Sequence, residues 1–322
     1  MPGPKSGASC QNDLIVMIKK NFVRTLLLVA MLGAAGNVSA QVKQYNNELS
    51  EFHALEVKGE FEVSLVHGSS YNVLFTVDEA LIDYVECNIK NKTLIIEIDE
   101  KRIPKEVKSL YKGRNAAVAT FKAMITMPEH PQLINMLDKT VLYDNMGAPS
   151  AREIKLVAGD KSSVKSFDVS APLVSIVADK RSSIMSNISC EKLSLNMAGN
   201  CTATLNCSEV SEIEAVFDNS ANVVVNGDVA SLNLNAKSGS KSIFNGSASD
   251  AVFECSGSSN VNASNFKIEK SKVTMSSICQ LSVNAVSTLD IDNLNGGAVL
   301  TIIGNPAVSI GTITKSSVNR IK

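Results

Sequence analysis

The chain has 322 residues, 44% of them hydrophobic and 5% aromatic, with no tryptophan and a formal net charge of −1 at pH 7. This length allows one large or two medium domains. Domains that bind nucleic acids are normally basic, so the charge argues against a nucleic-acid partner. The scarcity of large aromatic side chains favours a narrow core of small and medium residues.

The first 40 residues have the features of a secretory signal peptide. Lys19, Lys20 and Arg24 form a positively charged segment, and residues 25–35 are apolar. Val38 and Ala40 then place small residues at the −3 and −1 positions of a cleavage site. The sequence therefore predicts a signal peptide over residues 17–40, with cleavage after Ala40. Residues 1–16 are interpreted as an upstream over-read of the gene; the alternative is a long positive segment, so Met1 and Met17 both stay open as the start.

The signal peptide predicts export, to the periplasm, the outer membrane or the cell surface. No later stretch approaches 18 apolar residues, so no transmembrane segment is expected in the mature chain. Residues 41–130 are predicted to be an N-terminal β segment. Within it, Phe61, Val63 and Leu65 alternate with Glu62 and Ser64, which is typical of a half-buried strand.

A repeat of about 20 residues runs through the C-terminal half. Seven segments align on a small or apolar anchor, with steps of 20, 19, 20, 19, 19 and 20 residues. The anchors are Ala158, Ala178, Met197, Phe217, Ala236, Cys255 and Met275. Further apolar residues recur two positions before and six positions after most anchors, so stacking would align them inside a tube.

This period indicates a solenoid, because each unit can bury its apolar face only against its neighbours. The pattern of leucine-rich repeats is absent, and 20 residues suit two or three short strands with tight turns. The sequence therefore predicts an all-β protein whose residues 131–322 form a parallel β-helix, or β-solenoid, preceded by the N-terminal segment.

Six cysteines follow Ala40, and an exported chain can keep disulfides. Repeat phase places Cys190 and Cys207 on adjacent coils, which makes a bridge between them a hypothesis. No C-x-x-C is present, and the histidines at 53, 67 and 130 lie on separate segments. We therefore expect neither a metal site nor a cofactor, and no catalytic residues are assigned.

The order of these segments resembles the auto-transporter adhesin head GIN domain family, formerly a domain of unknown function. The resemblance rests on L-x-V-x-G-x-F-x-V-x-L-x-x-G at 55–68, D-x-x-L at 78–81, L-x-I-x-I at 94–98, and Ser-Gly-Ser turns at 238–240 and 256–258. It extends over about residues 52–321. It implies a right-handed parallel β-helix, an exported protein, suspected adhesion and no established enzyme activity.

The chain departs from the family pattern where Gly-Ile-Asn would fall, because it has Gly59-Glu60-Phe61 there. The function predicted from the resemblance is that of an envelope or cell-surface binding or structural protein without catalysis. Its partner would be a glycan or a protein of the envelope. Two alternatives are a carbohydrate-active β-helix enzyme that acts on an acidic polysaccharide and a periplasmic scaffold.

Two groups of charged residues form the candidate binding patch, although a solvated surface is the favoured interpretation of each. The first lies on adjacent turns of the repeat and would also serve the enzyme alternative; it comprises Asp160, Lys161, Asp179, Lys180 and Arg181. The second lies in the basic stretch 101–122, which could meet an anionic partner; it comprises Lys105, Lys108, Lys112 and Arg114.

Overall fold

A computed structural model describes residues 41–112, 116, 118–147 and 151–321. The predicted signal peptide, its cleavage site after Ala40 and residues 1–16 lie outside the described residues. The described part is nearly all β and forms a β-solenoid of about ten turns with a leading N-terminal strand segment, which confirms the predicted fold class. None of its helices is long and apolar enough to span a membrane.

The N-terminal segment has seven strands, one 3-10 turn and one short helix. These are β1 (Val42–Glu48), β2 (Ala54–Lys58), β3 (Glu62–His67), β4 (Asn72–Asp78), the 3-10 turn (Ile82–Tyr84), β5 (Val85–Lys90), β6 (Thr93–Ile98), α1 (Lys105–Leu110) and β7 (Phe121–Met127).

The repeats supply the remaining strands, and the four longest, of 15 or 16 residues, each continue around a corner from one ladder to the other. These are β8 (Leu133–Leu137), β9 (Val141–Asn145), β10 (Glu153–Ala158), β11 (Ser163–Ser166), β12 (Asp168–Ser170), β13 (Leu173–Ala178), β14 (Ser183–Ser189), β15 (Lys192–Met197), β16 (Thr202–Cys207), β17 (Val210–Phe217), β18 (Asn222–Ala236), β19 (Lys241–Cys255), β20 (Asn260–Met275), β21 (Gln280–Asn295), β22 (Val299–Ile303), β23 (Ala307–Thr314) and β24 (Ser317–Ile321).

The strands form two parallel ladders joined at every level by a turn. The first ladder stacks β8, β10, β13, β15 and β17, then the C-terminal halves of β18 to β21, and finally β23. The second ladder stacks β9, β11, β14 and β16, then the N-terminal halves of β18 to β21, and finally β22 and β24. Consecutive repeats therefore lie directly on one another.

The N-terminal segment continues both ladders. β2 pairs in parallel with β6 on one side and β8 on the other, and β3 pairs in the same way with β7 and β9. The chain thus inserts β2 and β3 between two levels that come later in sequence. Antiparallel β5 and β4 then border β6 and β7, and β1 borders β4. Both ladders continue across the boundary predicted between residues 130 and 131. That boundary stays a prediction.

The predicted inward rows are present and in register. Ala158 lies opposite Ala178, which lies opposite Met197, and the alignment continues to Met275. All seven anchors are buried. In the row six positions further on, the buried residue of the Ala236 repeat is Ser242, while Ile243 points outward and is 40% exposed.

A third inward row was not predicted. It consists of the last residue of each turn, which is always small because the chain bends sharply there and leaves room for little more than a hydroxyl, thiol or methyl group. Its buried members are Thr140, Ser162, Ser182, Cys201, Ala221, Ser240, Ser259, Cys279 and Ala298. Because these residues are polar as often as apolar, hydrophobic patterning does not reveal them.

A hydrogen-bonded pair of His and Asp side chains interrupts the apolar interior. His130 precedes β8 and Asp144 lies on β9, and their side chains are 0% and 1% exposed. The Nε2 atom of His130 lies 2.9 Å from Oδ2 of Asp144, and its Nδ1 lies 3.1 Å from the carbonyl oxygen of Pro131. The Phe167 ring packs 5.9 Å from the imidazole. The pair ties the chain that enters the repeats to their first level.

Truncation of a row residue should destabilise the stack. We expect Leu234→Ala, at a side chain only 2% exposed, to lower the free energy of unfolding by about 2–5 kcal/mol through lost burial and a residual cavity. The matched control Ser258→Ala, in an exposed turn, should change it by less than about 0.5 kcal/mol. Urea denaturation followed by circular dichroism measures both, and equal effects would contradict the assigned row.

The contributions of His130 and Asp144 to stability should depend on each other. We expect His130→Ala or Asp144→Ala to destabilise by about 3–5 kcal/mol, because each leaves a buried polar group unpaired. The double variant His130→Ala/Asp144→Ala should cost clearly less than the sum of the two single changes. An additive result in the same denaturation measurement would show that the two side chains do not interact.

Candidate functional site

The turns between the two ladders require an unusual backbone. In each early turn two consecutive residues have positive φ: 48° and 66° at Asp160 and Lys161, and 49° and 65° at Lys180 and Arg181. At the next level the pair is Gly199 and Asn200. A Cβ atom at Gly199 would lie only 2.0 Å from Oδ1 of Asp179, so the close approach of adjacent turns demands glycine there.

Backbone hydrogen bonds continue the stacking through these turns. The amide of Lys139 donates to the carbonyl of Asp160 over 3.0 Å, that of Lys161 to Lys180 over 3.0 Å, and that of Arg181 to Gly199 over 2.8 Å. The side chains at these positions therefore project from a backbone whose hydrogen bonds connect each level to the next. Their spacing is fixed by the ladder, at about 4.8 Å per level.

A groove of about 950 Å³ lies along these turns. The side toward the repeats is mainly basic; its cations are Lys139, Lys161, Lys180 and Arg181, and Asp138 and Asp160 lie among them. The side toward the first levels of the ladder, β6 and β2, is mainly acidic; its carboxylates are Glu60, Glu86, Glu97, Asp99 and Glu100, and Lys58 and Lys101 lie among them. We call this surface the turn groove.

Part of the charge in the turn groove is neutralised internally. Lys180 Nζ lies 3.2 Å from Asp160 Oδ1, and Lys139 pairs with Glu60. These pairs are at least one-third exposed, so solvent screening leaves them weak. Within the described part of the chain, Lys161 and Arg181 have no ion-pair partner. The groove thus presents two adjacent cations that are available to a ligand.

The structure places the first group of predicted site residues together. Asp160, Lys161, Lys180 and Arg181 all line the turn groove. Asp179 lies in the same turn, but its Oδ1 accepts a hydrogen bond of 2.6 Å from the Lys180 amide. The Asp179 carboxylate therefore stabilises the backbone of the turn. The register that aligns residues 20 apart puts Asp160 beside Lys180, as repeat phase indicated.

The second group is not brought to the turn groove. Lys105 and Lys108 lie on α1 and Lys112 follows it, and none of the three lines the groove. Arg114 lies outside the described residues. Val107 and Tyr111 pack against the core from this segment, so the helix is held by its apolar side while the lysines belong to its solvent side.

Sequence reasoning missed the acidic side of the groove. Glu86 and Glu97 lie on β5 and β6, and Glu86 also pairs with Arg102 over 3.1 Å. These residues belong to no repeat, so nothing in their spacing relates them to turns some 60 to 100 positions later. Only the pairing of β6 with β2 brings them there.

The six cysteines of the described chain are free thiols in the structure. Burial raises the pKa of Cys190 to about 11 and that of Cys207 to about 12, the latter with a smaller contribution from Cys190. Cys207 lies opposite Ile188 in the second ladder, so the two thiols are near each other. The Cys190–Cys207 bridge stays a prediction.

No group of three or more His, Cys, Asp or Glu side chains in the described residues is placed to hold a metal ion. His53 and Glu51 are 3.4 Å apart on the surface, and His130 is occupied by Asp144 inside the tube. Neither histidine lines the turn groove. The chemistry of the groove is therefore that of lysine, arginine and carboxylate side chains.

Comparison with known proteins gives a family and a fold. The family described as "Putative auto-transporter adhesin, head GIN domain" matches residues 51–306. A crystal structure of a "putative lipid binding protein" from Parabacteroides distasonis has a TM-score of 0.50 at 15% identity, covering 89% of this chain and 98% of that one. No curated protein sequence matches the chain significantly.

Two further crystal structures are similar over nearly the same length. A "putative adhesin" from Parabacteroides merdae has 15% identity and a TM-score of 0.47, covering 89% of this chain and 98% of its own. A "putative adhesin" from Parabacteroides distasonis has 16% identity and a TM-score of 0.46, covering 88% and 98%. At these identities the likeness concerns the fold alone.

The buried thiols should react slowly. Burial raises the pKa of Cys190 and Cys201 to about 11 each, so the thiolate fraction at pH 8 falls roughly 100-fold relative to an ordinary cysteine. We expect iodoacetamide to label these two cysteines in the folded, reduced protein at least that much more slowly than in the urea-unfolded protein, as followed by mass spectrometry of the peptides that contain them. Rapid labelling of the folded chain would contradict the burial of these residues.

Proposed function

The chain belongs to the auto-transporter adhesin head GIN domain family, and we propose that it is an exported binding protein of the cell envelope that attaches to a glycan or a protein without catalysis. The turn groove is the surface proposed to make the attachment. The observation that carries this proposal is the pair of unpartnered cations, Lys161 and Arg181, on adjacent levels of a backbone-bonded ladder.

This arrangement favours anionic groups on an extended partner. Lys161 and Arg181 are neighbours in register, so a carboxylate or sulfate bound by one lies close to the other. The carboxylates lie at the end of the groove formed by β6 and β2, where they would repel an acidic partner. Such a partner would therefore lie along the levels that carry Lys161 and Arg181 and end before β2.

The internal pairing in the groove supports binding over polysaccharide cleavage. A β-helix enzyme acting on an acidic polysaccharide would need a base and cations facing the scissile bond. Here the Asp160 carboxylate lies 3.2 Å from Lys180 and Asp179 accepts from its own turn. Incubation with polygalacturonate, alginate and chondroitin sulfate tests this point, and release of reducing ends that depends on Asp160 would favour the enzyme.

Charge reversal tests the groove. The mature chain and its Lys161→Glu/Arg181→Glu variant are applied to a column of immobilised heparin, which serves as an acidic probe. We expect the variant to elute at clearly lower NaCl, because two cations at the contact are replaced by anions. The matched control is Lys270→Glu/Lys315→Glu, which changes the charge equally at exposed positions outside the groove and should elute later than the groove variant.

Equal elution of the two charge-reversal variants would overturn the groove as the attachment surface, since overall charge would then explain retention. Both variants should keep the wild-type circular dichroism spectrum. Location is tested by protease shaving of intact host cells, with a periplasmic protein as control. Loss of this protein alone supports a place on the cell surface, and protection of both proteins favours the periplasmic scaffold.

A further inference from the structure

The outward side of the second ladder is almost free of charge. On β14, β16 and the N-terminal halves of β18 and β19, twelve residues alternate with the buried ones, and a single lysine is the only charged residue among them. They are Ser183, Met185, Asn187, Thr202, Thr204, Asn206, Asn222, Val224, Asn226, Lys241, Ile243 and Asn245. We call this surface the amide face.

The first ladder differs at the same levels. Its outward side carries Lys192 with Glu212 and Glu214, at 3.7 Å and 2.6 Å, and further on Asp250 and Glu254. At the four levels of the amide face, the first ladder carries three outward charges and the second ladder carries one. The amide face is therefore the less charged of the two, and neutral polar and apolar groups make up most of it.

Four asparagines form a continuous chain of side-chain hydrogen bonds on the amide face. Nδ2 of Asn206 donates to Oδ1 of Asn187 over 2.9 Å, Asn226 donates to Asn206 over 2.9 Å, and Asn245 donates to Asn226 over 2.8 Å. Asn187 in turn donates to the carboxylate of Asp168 over 2.6 Å. All four bonds run in the same direction, and each fixes the orientation of an amide.

The row of bonded asparagine side chains leaves donors and acceptors free. An asparagine amide has two N–H donors and an oxygen with two lone pairs. In Asn206 and Asn226 the chain uses one donor and one lone pair, so one of each remains for a ligand. Free donors and acceptors therefore recur along this face at the spacing of neighbouring strands, about 4.8 Å.

An apolar row runs beside the amides. Met185, Thr204, Val224 and Ile243 are aligned in register two residues before the asparagines. Met185 is 58% exposed and Ile243 is 40% exposed. The face thus presents methyl and thioether groups next to a row of oriented amides.

We propose that the amide face binds an uncharged polysaccharide. A sugar ring has C–H groups on its face, which suit the apolar row, and hydroxyls at its edge, which both donate and accept as the free amide positions require. Lys241 is the one cation among the twelve residues of the amide face, too little to compensate the charge of an acidic polysaccharide. The proposal extends the binding function proposed above to a different surface from the turn groove, so either can fail alone.

Affinity electrophoresis in native gels tests the proposal. Gels contain dextran, yeast mannan or xyloglucan as neutral probes and polygalacturonate as an acidic one. We expect at least one neutral polysaccharide to retard the wild type, and Asn226→Asp to weaken that retardation roughly tenfold, because a carboxylate removes the free donor and breaks the chain toward Asn206. The control Asn233→Asp lies on the same strand but on the outward side of the first ladder and should bind as the wild type does.

Three results would overturn the proposal, two in the gels and one in solution. The first is a wild type that none of the three neutral polysaccharides retards, and the second is equal retardation of the Asn226→Asp and Asn233→Asp variants. Circular dichroism and urea denaturation confirm that both variants are folded. Size-exclusion chromatography with light scattering checks for self-association, and a dimer that Asn226→Asp abolishes and polysaccharide leaves unchanged would make the face a contact between copies, which also overturns it.

Discussion

Parallel stacking in register is the constraint on which this molecule depends. Each strand obtains its backbone hydrogen bonds from the levels above and below, so every level must place equivalent residues at the same phase. The 19- and 20-residue steps meet that condition with inward rows such as Leu234 beside Phe253. The same alignment also governs the outside, where it places Asp160 beside Lys180 and each asparagine of the amide face beside the next.

A stack of this kind must begin somewhere without leaving its first strands unpaired. The N-terminal segment solves this by antiparallel pairing: β5 covers β6, β4 covers β7, and β1 covers β4. The edge of the sheet is thereby moved from the levels of the solenoid to β5 and β1. The buried pair of His130 and Asp144 lies where this segment passes into the repeats, and a pair of specific geometry there fixes how the two join.

The sequence predicted most of the repeat region because apolar periodicity and turn chemistry are local signals. The anchors, their flanking apolar rows and the alignment of Asp160 with Lys180 all follow from counting along the chain. The acidic side of the groove does not, since Glu86 and Glu97 reach it only through long-range strand pairing. The asparagines of the amide face do recur every 19 or 20 residues, but outward polar residues leave no mark on hydrophobic patterning.

The ladder also explains how a surface without a deep pocket could bind firmly. A single lysine or amide contributes little when its side chain must be ordered on binding. Here Asn206 is already held by Asn187 and Asn226, and the turn of Arg181 is bonded to the level above it, so part of that ordering is complete before a ligand arrives. An extended partner that matches the repeat would add one such contact per level, and the number of levels would then set its affinity.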